Sequence, residues 1–192
     1  MIEVLFVTHA DVRIDPDVPV PDWGLTDRGA ARHGRHAQTL DTGPDAIWCS
    51  TERKAIEAAN IYAGALNLPV QMDPELGEND RSATGFMPKE QFERAADAFF
   101  AHPDESYRGW ETARAAQSRI VAALARVCAT DARRPLIVAH GGVGALLLCH
   151  LKGVAIDRAE DQPGGAGGNA YRFTWPEKRL LHGWRDIAPD ID

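Results

Sequence analysis

The chain has little of what marks several large classes of protein. It has three cysteines, Cys49, Cys128 and Cys149, and none of them forms a Cys-x-x-Cys pair. This sparse, odd set indicates reduced thiols, packed as small buried hydrophobes in a cytoplasmic protein. No apolar run reaches the ~18 residues of a membrane span, and the apolar N-terminus lacks the basic start of a signal peptide. We therefore expect no membrane partner.

Positive charge is also in deficit. The chain has 21 Lys and Arg against 28 Asp and Glu, a net charge of −7. Nucleic-acid-binding proteins are usually basic, so we expect no nucleic-acid partner, although a local cluster of Arg and His can still bind a small anion. Nucleotide motifs are missing as well. The segment GGAGGN (164–169) does not follow a strand and open a helix, and AHGGVGALL lacks the lysine of a phosphate-binding loop.

What the chain does have is a regular alternation of strand and helix patterns. The 192 residues predict one α/β domain with a mostly parallel sheet, helices on both faces and a C-terminal hairpin at the edge. The weakly patterned segment 79–110 is predicted to be a small lid. Strands are predicted at residues 2–8, 46–49, 69–72 and 135–139, with two more in NAYRFTW and KRLLHGWRDI, and helices at 27–40, 52–66, 88–101, 112–129 and 143–152.

Two histidines stand at the ends of two of the predicted strands. His9 ends the apolar run VLFVTHA, and His140 ends PLIVAH. Ligands of parallel sheets bind at the carboxyl ends of the strands, so one sheet would bring both histidines together. Histidine is the usual side chain for nucleophilic or acid–base work near neutral pH. This pair is the strongest functional signal in the sequence.

Further candidates for binding an anion follow the other predicted strands. Ser50, Thr51 and Arg53 lie at a strand end that opens a helix, where free N–H groups and the helix dipole favour an anion. The planar fork of Arg53 suits a phosphoryl group. Glu75 and Glu78, in the next loop, are the candidate acids. Together these residue types are what phosphoryl transfer needs: cationic donors, a nucleophile and an acid.

The same residues occur in an order that resembles the histidine phosphatase superfamily, which has the phosphoglycerate-mutase-like fold. No single motif is specific, but the ordered set covers most of the chain. The segments resemble the family's Arg-His-Gly (here Thr8-His9-Ala10), Leu-Thr-x-x-Gly (Leu25 to Gly29), Ser-x-x-x-Arg-Ala (Ser50 to Ala55), Leu-x-Glu (Leu76-Gly77-Glu78), Gly-Glu-Ser (weakly, Gly109 to Thr112) and Ala-His-Gly-Gly (Ala139 to Gly142).

The resemblance implies a role for each residue. His9 would be the nucleophile that forms a phosphohistidine, and Glu78 would protonate the leaving group and later help to activate water. Arg53 and His140 would hold the phosphoryl oxygens, with support from the helix N-terminus at Gly141. The resemblance implies a small phosphorylated substrate, and it implies no metal and no organic cofactor.

The chain departs from the family pattern beside the nucleophile. Thr8 replaces the family's arginine and would contact the phosphoryl group without a charge; losing one such donor costs about 10²–10³ in rate. Asp15 replaces an asparagine and would repel phosphate. Arg13, four residues after His9, or Arg81 would then have to supply the missing charge. The prediction is a phosphoric monoester hydrolase of reduced activity; the alternative is a non-catalytic member that binds a phosphorylated ligand or protein.

Two further features bear on this prediction. The segment 79–110 is short, which fits a phosphatase better than a mutase, because a mutase must retain and reorient a bisphosphate. His33 and His36 lie one turn apart on a predicted helix, a spacing that can hold a metal. No third ligand is evident, and the flanking Arg32 and Arg35 repel cations. The interpretation is a solvated basic face.

Overall fold

The computed structural model describes residues 1–40 and 43–190, and its strands and helices alternate as the sequence predicts. Boundaries differ by a few residues: the first helix ends earlier than expected and the last begins earlier. The strands are β1 Ile2–Thr8, β2 Ala46–Cys49, β3 Val70–Met72, β4 Pro135–Ala139, β5 Asn169–Trp175 and β6 Leu180–Asp186. The helices are α1 Asp27–Ala37, α2 Arg53–Leu66, α3 Lys89–Ala101, α4 Ala113–Val127 and α5 Gly141–Lys152.

The strands form one six-stranded sheet in the order β3-β2-β4-β1-β5-β6. The pairs β3–β2, β2–β4 and β4–β1 are parallel, while β5 runs antiparallel to β1 and β6 antiparallel to β5. The predicted mostly parallel sheet with a C-terminal hairpin at its edge is confirmed. The carboxyl ends of the four parallel strands therefore lie along the same edge of the sheet.

Both faces of the sheet are covered, which explains why its central strands are apolar throughout. Along β1, Val4 and Phe6 contribute to a core shared with α3, α4 and α5. Leu5 and Val7 point to the opposite face and pack with residues of α1 and α2. The predicted placement of helices on both faces is confirmed.

Helix α1 begins beside the loop that follows β1. Thr26 is its N-cap, and the Thr26 hydroxyl accepts a hydrogen bond from the Gly29 N–H at 3.0 Å. The Thr26 N–H donates to the Asp11 carbonyl at 2.9 Å. A Cβ on Gly29 would lie 2.4 Å from that same carbonyl, so only glycine permits this approach. The loop after His9 is thereby fixed against the start of α1.

Two expectations from composition can be compared with the structure. Cys49, Cys128 and Cys149 are buried and free, as predicted, and burial raises the pKa of the Cys49 and Cys128 thiols to about 12. Across the described residues, no helix combines the length and the apolar character needed to cross a membrane. The role of the segment 79–110 as a lid stays a prediction.

Candidate active site

The two strand-end histidines meet at one edge of the sheet. Parallel pairing of β1 with β4 places Thr8 opposite Ala139, so His9 and His140 follow at adjacent strand ends. The centroids of their rings are 5.2 Å apart, and the rings meet edge to face. The backbone N–H of His9 also donates to the Ala139 carbonyl at 3.1 Å. The predicted convergence of the two histidines is confirmed.

Local hydrogen bonding sets the tautomer of His9. Its Nδ1 lies 3.1 Å from the Ala10 carbonyl oxygen. A carbonyl can only accept, so Nδ1 carries the proton and Nε2 keeps the lone pair. The pKa of His9 is lowered to about 4, because burial and then the positive charge of Lys54 disfavour the imidazolium. Near neutral pH, His9 is therefore a neutral imidazole with the lone pair on Nε2.

His33 supports the backbone beside His9. The Ala10 N–H donates to His33 Nε2 at 2.9 Å, and His33 Nδ1 lies 3.1 Å from the Tyr62 hydroxyl, which lies 2.8 Å from His36 Nδ1. His33 is completely buried. The interpretation of a solvated basic face is therefore wrong: the face packs against α2 and the loop after His9. In the described part of the chain, no group of three or more His, Cys, Asp or Glu side chains is arranged to hold a metal ion.

Arg32, also taken for a surface residue, is 3% exposed. Its guanidinium donates to Asp11 at 2.8 Å and to Asp186 at 3.0 Å. It also donates to the carbonyls of Gly167 and Gly168, each at 3.1 Å. Arg32 thus ties together the loop after His9, the glycine-rich loop and the end of β6.

His140 sits in a buried polar cluster. Its Nε2 lies 2.7 Å from the Ser50 hydroxyl and 3.3 Å from Glu52 Oε1. Its Nδ1 is buried and has no hydrogen-bond partner among the described residues. The pKa of His140 is lowered to about 4, chiefly because burial disfavours the charged ring, although Glu52 opposes this shift. This Nδ1 is the one polar atom of the His140 ring that the described residues leave without a hydrogen bond.

Lys54, at the start of α2, is the basic residue that enters this cluster. The expectation that Arg53 lies at the site is wrong. The Arg53 side chain is 63% exposed and donates to Glu57 at 2.7 Å. Lys54 is 3% exposed; its ammonium donates to the Val20 carbonyl at 2.8 Å and pairs with Glu52. The family pattern Ser-x-x-x-Arg-Ala, counted from Ser50, in fact places its basic residue at Lys54.

Glu52 was not singled out from the sequence. Burial raises the pKa of its carboxyl group, but His140 and Lys54 outweigh burial and lower the pKa to about 2. Glu52 Oε1 also accepts a hydrogen bond from the Glu78 N–H at 2.9 Å. The carboxylate therefore neutralises Lys54 and links the start of α2 to the Glu78 loop.

Glu78 lies at the N-terminus of α5. Its carboxylate accepts hydrogen bonds from the N–H groups of Gly142, at 3.0 Å, and Val143, at 2.9 Å. A Cβ on Gly142 would lie 2.8 Å from Glu78 Oε1, so a larger residue there would displace the carboxylate. The helix N-terminus expected to support a phosphoryl group is engaged by the proposed acid itself.

Thr8 does not face a ligand site, contrary to expectation. It is completely buried. Its hydroxyl donates to Gln162 Oε1 at 2.7 Å and accepts from the Asn169 N–H at 3.0 Å. The Thr8 side chain thus holds the end of β1 against Gln162 and the start of β5.

Of the two arginines considered as substitutes, the structure places only Arg81 near the histidines. The Arg13 side chain is 68% exposed and pairs with Asp27 at 3.1 Å. Asp15 lies with Arg13 and Arg53 at a separate surface cavity. The Arg81 guanidinium lies 4.8 Å above the centre of the Phe92 ring, and its charge contributes to the lowered pKa of His9.

A pocket of about 400 Å³, hereafter the histidine pocket, opens beside His9. Its polar wall includes Glu78, Arg81 and the N-terminus of α5 at Gly141. The glycine-rich loop also borders it, at residues 165–167. The opposite wall is aromatic and consists of Phe92, Phe99, Phe100 and Trp110.

Comparisons with solved structures support the fold. Structures of similar fold include YhfR of Bacillus stearothermophilus (TM-score 0.80, 21% identity, 95% of each chain covered). The α-ribazole phosphatase of Shigella flexneri is also similar (TM-score 0.73, 20% identity, 100% of each chain). A third is the mycobacterial glucosyl-3-phosphoglycerate phosphatase with inorganic phosphate (TM-score 0.75, 18% identity, 96% of this chain and 95% of that one).

Sequence comparison assigns the family. A search of curated protein sequences finds no match. The sequence model of the histidine phosphatase superfamily (branch 1) matches residues 4–186, nearly the whole chain. The protein therefore belongs to the histidine phosphatase superfamily.

Proposed function

We propose that this protein is a phosphoric monoester hydrolase that works through a phosphohistidine at His9 on a small phosphorylated substrate. The observation that carries the proposal is the state of His9: neutral, with Nδ1–H held by the Ala10 carbonyl and the lone pair on Nε2. That is the form an imidazole nucleophile needs. The phosphatase names of several similar structures support the same reaction class.

In the proposed reaction, Nε2 of His9 attacks phosphorus while the bond from phosphorus to the ester oxygen breaks. That oxygen leaves with the electron pair of the broken bond and takes a proton from the Glu78 carboxyl group. Water then attacks phosphorus, the bond from phosphorus to Nε2 breaks and its electron pair returns to the ring. A proton of this water passes to Glu78, and inorganic phosphate is released. The Ala10 carbonyl would stabilise the positive charge that develops on the His9 ring.

Glu78 and the start of α5 would act together. A phosphoryl group has the charge and the acceptor oxygens to compete for the N–H groups of Gly142 and Val143, which Glu78 now occupies. When the phosphoryl group takes these N–H groups, the carboxyl group of Glu78 would be free to move toward the leaving oxygen. Gly141, at the wall of the same pocket, would contribute to this anion site.

His140 is proposed to bind a phosphoryl oxygen through Nδ1. A phosphate dianion next to its ring would raise the pKa of His140, because the opposite charge favours the imidazolium. The protonated ring would donate from Nε2 toward Glu52 and from Nδ1 to the phosphate. Arg81 would supply further positive charge from the other side of the pocket.

One observation favours the second candidate, a non-catalytic protein that binds a phosphorylated ligand. Among the described residues that line the histidine pocket, Arg81 is the one arginine or lysine. Lys54 lies behind the pocket and is neutralised by Glu52. Phosphoryl transfer depends on fixed positive charge, so this scarcity would lower the rate.

A phosphatase screen over a panel of phosphorylated metabolites tests the proposal. Turnover and acid-labile labelling of the protein with phosphate are expected, both lost in His9→Ala and more gently reduced in His140→Ala. Turnover should persist in EDTA. His102→Ala, an exposed site at the end of α3, is the matched control. Undiminished turnover in His9→Ala would exclude the nucleophile, and ligand binding without turnover would favour the second candidate.

A further inference from the structure

A second cavity adjoins the histidine pocket. It has a volume of about 360 Å³ and shares four lining residues with the histidine pocket: Ile14, Arg81, Phe92 and Gly165. We refer to it as the outer cavity. Beyond the shared residues, its lining includes the apolar side chains of Val20, Trp23, Phe86 and Met87.

The tryptophans that line the two cavities offer apolar ring surface rather than free hydrogen-bond donors. The indole N–H of Trp23 donates to the carbonyls of Asp15, at 2.9 Å, and Val18, at 3.0 Å. The indole N–H of Trp110, in the histidine pocket, donates to the Thr84 hydroxyl at 2.8 Å. Both tryptophans are therefore satisfied within the protein. The polyol part of a sugar phosphate would find no donor on these rings.

A cationic side chain stands at the boundary between the cavities. Arg81 lines both, and its guanidinium lies over the Phe92 ring, 4.8 Å from the ring centre. A ligand whose phosphoryl group lies at His9 would pass Arg81 and reach the wall formed by Trp23 and Phe86, whose rings pack against each other. These two rings have centroids 6.0 Å apart. Lys89 and Glu93 also line this cavity.

We infer that the outer cavity receives the alcohol part of the substrate, and that the preferred substrates are phosphomonoesters of apolar alcohols. The preference in hydrolysis rests on the proposed function, whereas the binding of the alcohol part does not. Phe86 and Met87 are half-buried around this space. Covering such surface with an apolar group gains about 4-fold in affinity for each buried methylene.

A homologous series of n-alkyl phosphates tests the inference, because chain length changes apolar area while the leaving-group chemistry stays nearly constant. From ethyl to hexyl phosphate the chain gains four methylenes, so kcat/KM should rise by about 250-fold. Ethylphosphonate and hexylphosphonate, whose C–P bond is not hydrolysed, measure binding alone by calorimetry. Their dissociation constants should differ in the same direction.

Substitutions in the outer cavity test whether the dependence on chain length arises there. Phe86→Ala removes apolar wall and should flatten the dependence on chain length, while Met87→Trp fills the space and should penalise hexyl over ethyl compounds. Leu181→Ala, on the hairpin and 38% exposed, is the matched control and should preserve the wild-type series. If both cavity variants lower the preference for hexyl over ethyl compounds, a general folding defect is excluded as the cause of that change.

The outcomes separate this inference from the proposed hydrolase. Hydrolysis of every ester at equal kcat/KM, with equal affinities for the two phosphonates, would overturn the apolar subsite and leave the hydrolase standing. Tighter binding of hexylphosphonate without hydrolysis of any ester would support the subsite and overturn the hydrolase. Undetectable binding of both phosphonates would overturn the subsite.

Discussion

Mild acid is expected to unfold this protein, because four histidines of the fold are held neutral. Burial is the largest cause in each case, and it lowers the pKa of His9, His36 and His140 to about 4 and that of His33 to about 3. An exposed histidine in the unfolded chain has a pKa near ~6.5. The unfolded chain therefore binds protons that the folded chain refuses.

Hydrogen bonding gives an independent reason for neutrality at two of these positions. The Ala10 N–H can only donate, so His33 Nε2 must accept and His33 Nδ1 must carry the proton toward the Tyr62 hydroxyl. That hydroxyl then donates to His36 Nδ1. A proton on His36 Nδ1 would reverse this bond, and a proton on His33 Nε2 would break the contact with Ala10. The chain of bonds exists only while both rings are neutral.

Charged neighbours act in the same direction at His36. The positive charges of Arg172 on β5 and of His182 on β6, when protonated, lower the pKa of His36 further. At His33, the charges of His9 and His36, when protonated, and the guanidinium of Arg32 lower the pKa, and Asp11 opposes them. The two rings are thus disfavoured as cations by neighbouring positive charge as well as by burial.

The sign and size of the effect follow from proton linkage. Above about pH 6.5 the four histidines are neutral in both states and add no pH dependence. Between pH ~6.5 and ~4 only the unfolded state takes up protons, so the free energy of unfolding falls as the pH falls. At pH ~5.5 each histidine costs about 1.4 kcal/mol, about 6 kcal/mol for the four. Typical domains are stable by about 5–15 kcal/mol, so unfolding is expected between pH ~6 and ~5.

Urea denaturation from pH ~7.5 down to ~5 measures this dependence. His36→Asn keeps an acceptor near Nδ1 and cannot titrate, so it should remove about a quarter of the slope. Arg35→Gln, on the exposed side of the same helix, is the matched control and should keep the full slope. A flat profile, or a slope that His36→Asn leaves intact, would refute the reasoning.

Three further predictions concern the charges around the histidine pocket. Lys54→Met should lower the free energy of unfolding, measured by urea denaturation, by about 3–5 kcal/mol, because the Glu52 carboxylate stays buried without its partner. The double variant with Glu52→Gln should recover most of this loss. Thr8→Arg should lower Tm rather than raise turnover, because Thr8 is completely buried; faster hydrolysis at an unchanged Tm would contradict this placement. Arg81→Ala should weaken inhibition by inorganic phosphate about 10-fold or more, while Arg13→Ala should not; equal effects in the inhibition assay would count against Arg81.

Much of the fold could be predicted from the sequence because its signals are local. The apolar runs before His9 and His140 mark strands buried on both faces, and Thr26 marks the start of α1. The carboxyl ends of parallel strands share one edge, so the meeting of the two histidines followed from their positions alone. The alternation of strands and helices was enough to give the layers of the fold.

The helix pattern of α2 alone does not choose the basic residue at the site, although the family motif counted from Ser50 places it at Lys54. Arg53 and Lys54 are neighbours in α2, and their side chains point about 100° apart around the helix. Which one turns inward depends on how α2 packs against the sheet, and the contacts of Lys54 with Val20 and Glu52 come from that packing. Thr8 likewise acquired its partners only when β5 paired with β1.

Only the tertiary structure determined which polar side chains are buried. Arg32 and His33 resemble surface residues in the sequence, since charged and polar side chains are mostly exposed. In the fold, the Ala10 N–H and the carbonyls of Gly167 and Gly168 are enclosed and need partners. Those backbone groups come from segments far apart in the chain. The sequence determined which groups stand at the strand ends, and only the packing of distant segments determined which side chains would satisfy the backbone around them.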